Sequence, residues 1–381
     1  MASSVQPQSL LSGEGAHVIE IKKLSRQTTP AYPLDPANLE FGRQCTPNFF
    51  ICEYRNGAWG QPRIEEMHLL SMHPASNVFH YAQAIFEGLK AYRQREERVV
   101  LFRPEMNARR FEHSATRMGM PPVDEELFLD GVRRLVDIER NWAPDPPGSL
   151  YIRPTMIGSE AGLGVRSSTE FIFFIITLPS GTYFKGMAPG TGTVRVFVEE
   201  STSRAAPGGT GGVKAAANYA VTLKTITDAK ARGCGQVLFL DAIRRHRVEE
   251  LGGMNIFFVR NGALITPKLS GTILPGVTRD SLLTLARDLG IPTSEEDIDI
   301  YEVVDQVRSG VVTEAFAAGT AATVVGIREL LFESGNSVEI GDGTVGTITK
   351  RLFDEITGIQ FGTVPDRHHW TSDVRAEVVA K

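Results

Sequence analysis

The chain has 381 residues, a formal net charge of −5 at pH 7, 42% hydrophobic residues and 22% charged residues. This length favours two domains, because single hydrophobic cores stop growing beyond about 250–300 residues. The slightly acidic balance argues against a nucleic-acid partner or an anionic membrane surface, since both select for clustered positive charge.

The cysteines and the apolar runs narrow the class of protein further. Three cysteines are too few for a disulfide framework in a chain of this size, and their spacing matches no metal-binding motif. The N-terminus lacks the basic start and apolar core of a secretory signal. The longest apolar run, FIFFII (171–176), is too short to span a bilayer and indicates a buried strand. We therefore expect a cytoplasmic protein with reduced thiols, no metal and no membrane partner.

The N-terminal half predicts an irregular segment followed by a small α/β domain. Residues 1–40 are rich in Ser, Pro and Gln, with a short strand near 17–21. The segments FFICEY, VVLFRP, SLYIRPTMIG and EFIFFIITLP are typical of strands. Apolar residues at three- and four-residue spacing predict helices over 105–118 and 125–142. Because strands and helices do not alternate regularly, we expect an α+β domain over 41–180.

The C-terminal half begins after a glycine-rich stretch, 181–192, that predicts an interdomain linker. TVRVFVEE and QVLFLD are typical of strands, and GMNIFFVRNGALITP predicts a hairpin that turns at Asn261-Gly262. Helices are expected over 216–232 and 275–289. We expect these elements to form a larger domain over 193–381.

The stretch GGVKAAANYA (211–220) places one lysine, Lys214, among residues with almost no side chain. Such neighbours would let a cofactor approach closely, and a low-dielectric setting would lower the pKa of the amine, as a Schiff-base nucleophile requires. Tyr219 lies five residues on, at the start of a predicted helix that would hold its phenol near the amine. The alternative is an exposed loop lysine without a function.

Several other segments could bind anions. GGTGGVKA has the wrong spacing for a P-loop, and GDGTVG (341–346) lies too close to the C-terminus for a dinucleotide-binding unit. PGVTRD (275–280) is more favourable, because the first amides of the helix, those of Val277 and Thr278, suit a phosphate. A simple N-cap role for Thr278 is the alternative. The turn AGTAA (318–322) is similar, with a small-residue loop packed on a sheet as its alternative.

Eight segments, in order along most of the chain, resemble the branched-chain amino acid aminotransferases, which are fold-type IV pyridoxal-phosphate enzymes. They are FHYAQAIFEGLKAYR (79–93), LFRPEMNARRF (101–111), SLYIRPTMIGSEAGLGV (149–165), PGGTGGVKAAANYA (207–220), VEELGGMNIFFV (248–259), GTILPGVTRDSLLTLA (271–286), AAGTAATV (317–324) and GIQFGTVPDRHHW (358–370). The resemblance implies a two-domain α+β fold like that of D-amino acid aminotransferase.

The resemblance also implies roles for individual residues. Lys214 matches the Schiff-base lysine and proton-transfer base, Tyr219 the tyrosine at the ring hydroxyl oxygen, and Glu250 the carboxylate at the pyridine nitrogen. Periodicity alone could not choose Glu250 over Glu249. The phosphate group is matched by Arg110, Val277, Thr278 and Thr320. The amides of Thr320 and Ala321 match the turn for the substrate α-carboxylate, and the side-chain pocket is matched by Phe41, Tyr81, Phe86, Tyr151 and Arg153.

The implied reaction is reversible ping-pong transamination between L-leucine, L-isoleucine or L-valine and 2-oxoglutarate, giving branched-chain 2-oxo acids and L-glutamate. The implied assembly is a homodimer or a higher homo-oligomer whose active sites borrow residues from the partner subunit. The alternatives are D-amino acid or amine transamination, aminodeoxychorismate lyase chemistry, and a nonenzymatic metabolite-binding protein. Two departures bear on substrate preference: CTPNF (45–49), where many members carry Thr-Asp-His-Met, and Gly253, where some carry threonine.

Overall fold

Two mixed β-sheets with packed helices make up the part of the chain that the structure, a computed structural model, describes: residues 17–25, 27, 29–31, 34–181 and 190–375. Residues 1–16 of the predicted irregular segment and residues 182–189 of the predicted linker lie outside these ranges. The division into domains at 41–180 and 193–381 stays a prediction.

The first sheet comes mainly from the N-terminal half, and almost all of its strand pairs are antiparallel. Its strands are β1 (Glu20–Ile21), β2 (Asn48–Arg55), β3 (Ala58–Trp59), β4 (Arg63–Glu66), β5 (Ala84–Phe86), β6 (Leu89–Arg93), β7 (Val99–Phe102), β8 (Ser149–Gly158) and β9 (Phe171–Ser180). A last strand, Thr371–Asp373, returns from the C-terminal end of the chain and pairs with β7. The strands predicted in FFICEY, VVLFRP, SLYIRPTMIG and EFIFFIITLP are present as β2, β7, β8 and β9.

The helices of this half are α1 (Asn77–Tyr81), α2 (Pro104–Arg117) and α3 (Glu125–Ile138), with 3₁₀ turns at Arg95–Glu97 and Arg140–Trp142. Helix α3 begins where the Asp124 side chain accepts a hydrogen bond from the Leu127 amide at 2.8 Å, which satisfies a free donor of the first turn. Both long helices bury an apolar face on the sheet, around Phe50, Phe111 and Phe173. The predicted helix over 125–142 therefore ends four residues early as an α-helix and continues as a 3₁₀ turn.

The second sheet contains both parallel and antiparallel pairs. Its strands are β10 (Thr193–Glu199), β11 (Gln236–Leu240), β12 (Val248–Leu251), β13 (Asn255–Arg260), β14 (Ala263–Pro267), β15 (Thr293–Glu296), β16 (Val312–Gly319), β17 (Thr323–Leu331) and β18 (Ser337–Glu339). The predicted hairpin joins β13 to β14 through Asn261 and Gly262, whose φ angles of 50° and 76° suit a tight turn. The predicted α+β class is confirmed.

The helices of the second half are α4 (Ala217–Ala220), α5 (Leu223–Ala231), α6 (Val277–Asp288), α7 (Ile300–Arg308) and α8 (Thr347–Phe361). The single helix predicted over 216–232 is thus two helices. The break falls at Val221 and Thr222, where the Thr222 hydroxyl donates to the Tyr219 carbonyl at 2.8 Å. One core cluster contains residues of both sheets, including Tyr92 and Phe102 with Phe257 and Phe316, so the two sheets share buried surface.

The described residues contain neither a membrane-spanning helix nor a metal-binding cluster. None of the helices there has the length and apolar character needed to cross a lipid bilayer. No group of three or more His, Cys, Asp or Glu side chains in that part of the chain is arranged to hold a metal ion. Cys45, Cys52 and Cys234 are free thiols.

One buried carboxylate in the first half lies far from any predicted site residue in sequence. Glu139, at the end of α3, is 0% exposed, and its Oε1 accepts from the Asn48 amide at 2.8 Å and the Asn48 Nδ2 at 2.7 Å. Its Oε2 has no partner among the described residues. Burial raises the pKa of Glu139 to about 7, against the opposing effect of the Asn48 hydrogen bonds.

This raised pKa predicts a pH-dependent stability. The folded state holds the Glu139 proton up to about pH 7, whereas an unfolded glutamate loses it near pH 4.3, so the stabilising contribution is lost as pH rises through this window. We expect Glu139→Gln to raise the free energy of unfolding by about 2–3 kcal/mol at pH 8, with little change at pH 5. Denaturant unfolding at both pH values measures this, with exposed Glu126→Gln as control. An equal effect at the two pH values would contradict it.

Candidate active site

Lys214 lies where the second half of the chain meets the first sheet. Its carbonyl accepts from the Phe86 amide at 3.1 Å, its amide donates to the Ser114 hydroxyl at 3.0 Å, and Ala215 forms a β-bridge with Ile85. Small residues before Lys214 are required here, because a Cβ on Gly211 would lie 2.3 Å from the Thr272 carbonyl oxygen. The loop is therefore fixed by both halves of the chain.

Among the described residues, the Lys214 amine has one hydrogen-bond partner. Its Nζ donates to the Tyr219 Oη at 3.0 Å, and Tyr219 lies on the one-turn helix α4. The Phe86 ring packs 4.9 Å from the Tyr219 ring and 5.0 Å from the amine. The half-buried amine thus lies beside this pair of rings, and the Tyr219 phenol is near the amine, as the short spacing in the sequence predicts.

A cavity of about 520 Å³ opens in front of this amine. It brings together almost all the predicted site residues, from both halves of the chain: Phe41, Phe86, Arg110, Tyr151, Arg153, Lys214, Tyr219, Glu250, Val277, Thr278, Thr320 and Ala321. Tyr81 is not among its lining residues. The Tyr81 hydroxyl instead contacts the Leu163 carbonyl at the surface.

Glu250 approaches the cavity from β12 and is 2% exposed. Its Oε1 accepts from the Arg204 Nη1 at 2.8 Å and from the Leu274 amide at 2.9 Å. Burial raises the pKa of Glu250 to about 7, and the nearby Arg204 guanidinium opposes this shift. Arg204 therefore favours the ionised form of a carboxylate that burial alone would protonate.

Arg110, on α2, is held by a second buried acid. Its Nε and Nη2 donate to the two carboxylate oxygens of Glu87 at 2.6 and 2.8 Å, and its Nη1 donates to the Pro275 carbonyl at 2.9 Å. Burial tends to raise the pKa of Glu87, but the Arg110 guanidinium holds it below its ordinary value. A guanidinium has five N–H donors, and these contacts use three of them, so two remain for a ligand.

The start of α6 supplies further donors. The N-cap residue is Gly276, not Thr278, and no side chain caps the first turn. The alternative of a simple N-cap role for Thr278 is therefore wrong. A Cβ on Gly276 would lie 2.1 Å from the Asn255 Oδ1, so glycine is required for this approach. The free amides at this helix start suit an anion.

The turn between β16 and β17 carries Thr320 and Ala321. Lys90, a buried residue of β6, donates from its Nζ to the Ala321 carbonyl at 2.8 Å, and burial lowers the pKa of Lys90 to about 8. The first sheet therefore holds this turn of the second sheet. Thr323, at the end of the turn, has a φ of 63°, which is uncommon for a β-branched residue.

The remaining cavity wall is mostly aromatic. The Arg153 guanidinium lies 4.5 Å from the Phe86 ring centroid, and its Nη2 donates to the Tyr151 Oη at 2.8 Å. The Phe41 ring packs against Tyr151 at 4.9 Å. Gly88 leaves room for the Tyr151 hydroxyl, since a Cβ there would lie only 2.2 Å from it. This wall offers an apolar surface with one cation.

Sequence reasoning missed three residues that orient the site: Glu87, Lys90 and Arg204. Glu87 and Lys90 lie inside FEGLKAYR, and Arg204 lies three residues before the PGGTGGVK block. A charged side chain inside an otherwise apolar strand was the available signal for Lys90. No local signal connects Arg204 to Glu250, which lies 46 residues later in the chain (250 − 204).

Comparisons with known proteins agree with this geometry. Residues 84–330 match the family model described as amino-transferase class IV. The chain is 46% identical over 359 residues to the branched-chain-amino-acid transaminase 1 of Bacillus subtilis, covering 93% of this chain and 99% of the relative. It is 43% identical over 341 residues to the branched-chain-amino-acid aminotransferase of Mycolicibacterium smegmatis, covering 88% and 92%.

Solved structures agree as well. The branched-chain amino acid aminotransferase of Escherichia coli superposes with a TM-score of 0.71 at 26% identity, over 85% of this chain and 99% of that one. The T.th. branched-chain amino acid aminotransferase with pyridoxamine 5′-phosphate gives a TM-score of 0.69 at 26% identity, over 85% and 98%. The predicted fold-type IV architecture is confirmed. The chain belongs to the class IV aminotransferase family.

Proposed function

We propose that this enzyme transfers amino groups reversibly between L-leucine, L-isoleucine or L-valine and 2-oxoglutarate, with pyridoxal 5′-phosphate bound at Lys214. The observation that carries the proposal is the Lys214 Nζ, 3.0 Å from the Tyr219 Oη, in a cavity that Glu250 and Arg110 also line. Relatives at 43–46% identity carry the same activity in their names. A cytoplasmic location is part of the proposal.

The donors around the cavity fit this cofactor. Arg110 and the first amides of α6, with Thr278 and Thr320, would hold the phosphate group; Tyr219 would hold the ring hydroxyl oxygen and Glu250 the ring nitrogen. The two N–H groups of Arg110 that its contacts with Glu87 and Pro275 do not use, and the free amides at the start of α6, are donors that such an anion would satisfy. When bound, pyridoxal phosphate supplies an electron sink for the substrate Cα.

Lys214 has two functions in this proposal. Its amine is the covalent attachment point, and once substrate is bound the free amine removes the proton from the substrate Cα as a general base. The Tyr219 hydroxyl and the Phe86 ring keep the amine in place during both events. Arg204 is paired with Glu250 and favours its ionised form, which would place a negative charge at the ring nitrogen of the bound cofactor.

One cavity must accept both an apolar branched chain and the distal carboxylate of glutamate. Phe41, Phe86 and Tyr151 provide the apolar surface. Arg153, half-buried on the Phe86 ring and with an unpartnered Nε among the described residues, provides the cation for the carboxylate. The Thr320 and Ala321 amides, held by Lys90, would bind the α-carboxylate that both substrates share.

A homodimer, or a higher homo-oligomer, would bring Tyr81 into a site. Tyr81 lies on α1 and contacts the 159–166 loop, and this helix and loop carry the exposed apolar residues Phe79, Leu163 and Val165. Several of these side chains are more than 60% exposed, which is unusual for a monomer surface. We propose that this surface packs on a second copy, so that Tyr81 lines the neighbouring cavity.

A substrate panel tests the proposed function. We expect amino transfer to 2-oxoglutarate from the three branched-chain L-amino acids, with kcat/KM at least tenfold higher than for D-alanine or for a simple amine. Each donor is assayed by the glutamate it forms, with L-aspartate as a donor of different side-chain polarity. Turnover of D-alanine but not of L-leucine would indicate D-amino acid transamination instead.

A further inference from the structure

A second cavity, of about 330 Å³, lies on the other side of β12 from the Lys214 cavity. Glu250 lines the first cavity, and Glu249, the residue before it on the strand, lines the second. The second cavity is bounded by the β11–β12 connection, the end of β14 and the 270–273 loop. Nothing in the proposed transamination uses it.

The charges around this cavity are paired, with two exceptions. Arg247 and Lys268 both contact Asp297 at 2.9 Å, and Glu296 contacts Arg260 at 2.5 Å. The Asp241 carboxylate accepts from backbone amides of the connection that follows it. The exceptions are Glu249, inside the cavity, and Arg244, at its exposed edge.

Glu249 is 7% exposed and incompletely satisfied. Its Oε1 accepts from the Thr272 hydroxyl at 2.5 Å, whereas its Oε2 has no partner among the described residues. Burial raises the pKa of Glu249, with the Thr272 hydroxyl and Arg204 acting in the opposite direction. A buried carboxylate without a full set of partners is costly, so such groups usually meet a counter-charge.

The positive charge that the protein places near Glu249 is already paired with another carboxylate. The buried Arg204 guanidinium lowers the pKa of both carboxyl groups, but its ion pair, at 2.8 Å, is with Glu250. In the first cavity a bound ring nitrogen would supply further positive charge. Glu249, in contrast, has no ion-pair partner among the described residues, and its side chain borders a cavity.

The rest of the cavity lining combines apolar side chains with a cation, that of Arg244. Val248 and Ile273 are buried apolar residues of the wall, and Ile243, at the rim, is 76% exposed. The Arg244 side chain is exposed and has no hydrogen bond or ion pair within the described chain. A complementary ligand therefore carries a cation toward Glu249 and an apolar body toward these walls.

We propose that this cavity binds a small organic ammonium ion with an apolar body, whose ammonium group pairs with the Glu249 carboxylate. A free amino acid and a simple alkylamine share this chemistry, and Arg244 would add a contact for the carboxylate of the former. The proposal rests on Glu249 and its surroundings and does not depend on transamination.

Isothermal titration of the purified protein with isobutylammonium chloride tests the proposal. We expect saturable binding with a dissociation constant on the order of 1 mM, as suits a ligand of few atoms. In Glu249→Gln the binding should weaken at least tenfold, and in exposed Glu302→Gln it should be unchanged. Because binding in the Lys214 cavity survives Glu249→Gln, the difference between the two proteins measures the second cavity alone.

A second variant, which leaves Glu249 unchanged, separates loss of the cavity from any indirect effect of Glu249→Gln on the neighbouring Glu250. Ala242 lines the cavity, and its methyl side chain makes no hydrogen bond. Ala242→Leu should therefore fill the cavity and abolish the heat of isobutylammonium binding that depends on Glu249. The affinity of L-valine for the same site is measured by competition with isobutylammonium. If L-valine binds the Glu249-dependent site more tightly, the natural ligand is an amino acid. If L-valine binds more weakly, the natural ligand is an amine. Equal binding of uncharged isobutanol, or binding unchanged in both variants, would overturn the proposal.

Discussion

Lys214→Ala is expected to reduce amino transfer at least about 10³-fold while the fold is retained. The side chain donates a hydrogen bond to the Tyr219 hydroxyl and packs on Phe86, whereas the loop itself is held by backbone contacts to Phe86 and Ser114. Removing the amine therefore removes both the covalent attachment point and the base but leaves the loop's anchors. Steady-state rates with L-leucine and 2-oxoglutarate measure the loss.

Two further measurements accompany the transamination rate of Lys214→Ala. Thermal unfolding of Lys214→Ala should stay within a few degrees of the parent protein, and borohydride should fix the cofactor to the parent chain but not to the variant. The matched control is Lys224→Ala, whose side chain is 85% exposed and pairs with Asp228 on the outside of α5. A Lys214→Ala protein that keeps a tenth of the parent rate would refute the assignment of Lys214.

The parts of the site that are local in sequence were predictable from it. Lys214 and Tyr219 are joined by one loop and one short helix, so small residues and a helix start sufficed to bring amine and phenol together. The start of α6 is equally local, although the pattern could not tell that Gly276 rather than Thr278 occupies the N-cap. Strand periodicity likewise predicted β2, β7, β8 and β9.

The parts that depend on long-range contacts were not predictable. Lys90 meets the Ala321 carbonyl across 231 positions, and Arg204 meets Glu250 across the second sheet. No local periodicity contains such pairs, and only the resemblance chose Glu250 over Glu249. Tyr81 lies on a surface outside the cavity of its own chain, and no periodicity of the sequence indicates this position.

The second large effect is expected at Arg204, which is 4% exposed and paired with Glu250 at 2.8 Å. Arg204→Met removes the largest influence that lowers the pKa of Glu250, which burial already raises to about 7. The carboxyl should then stay protonated to higher pH. We expect kcat at pH 7 to fall at least about tenfold and to recover partly toward pH 9, so that the acid limb of the profile moves upward.

The free energy of unfolding of Arg204→Met should also depend on the ionisation of Glu250. A raised pKa in the folded state makes the protein lose stability as pH rises through that pKa, because ionising the unpaired Glu250 then opposes folding. We expect Arg204→Met to cost about 3 kcal/mol or more above pH 8 and less at pH 6, as for a buried ion pair that loses one partner. Denaturant unfolding across this range measures it.

The double variant separates charge pairing from catalysis. Arg204→Met with Glu250→Gln removes both charges, so the free energy of unfolding should recover at high pH, because position 250 no longer carries an unpaired charge in the interior. Activity should not recover, since the negative charge at the ring nitrogen is also gone. As a control, Arg93→Met removes a mostly buried arginine of the first sheet and should leave the pH profile of kcat unmoved. If Arg204→Met leaves that profile in place, Glu250 does not depend on Arg204 for its charge, and the part of the mechanism that assigns Arg204 this role is wrong.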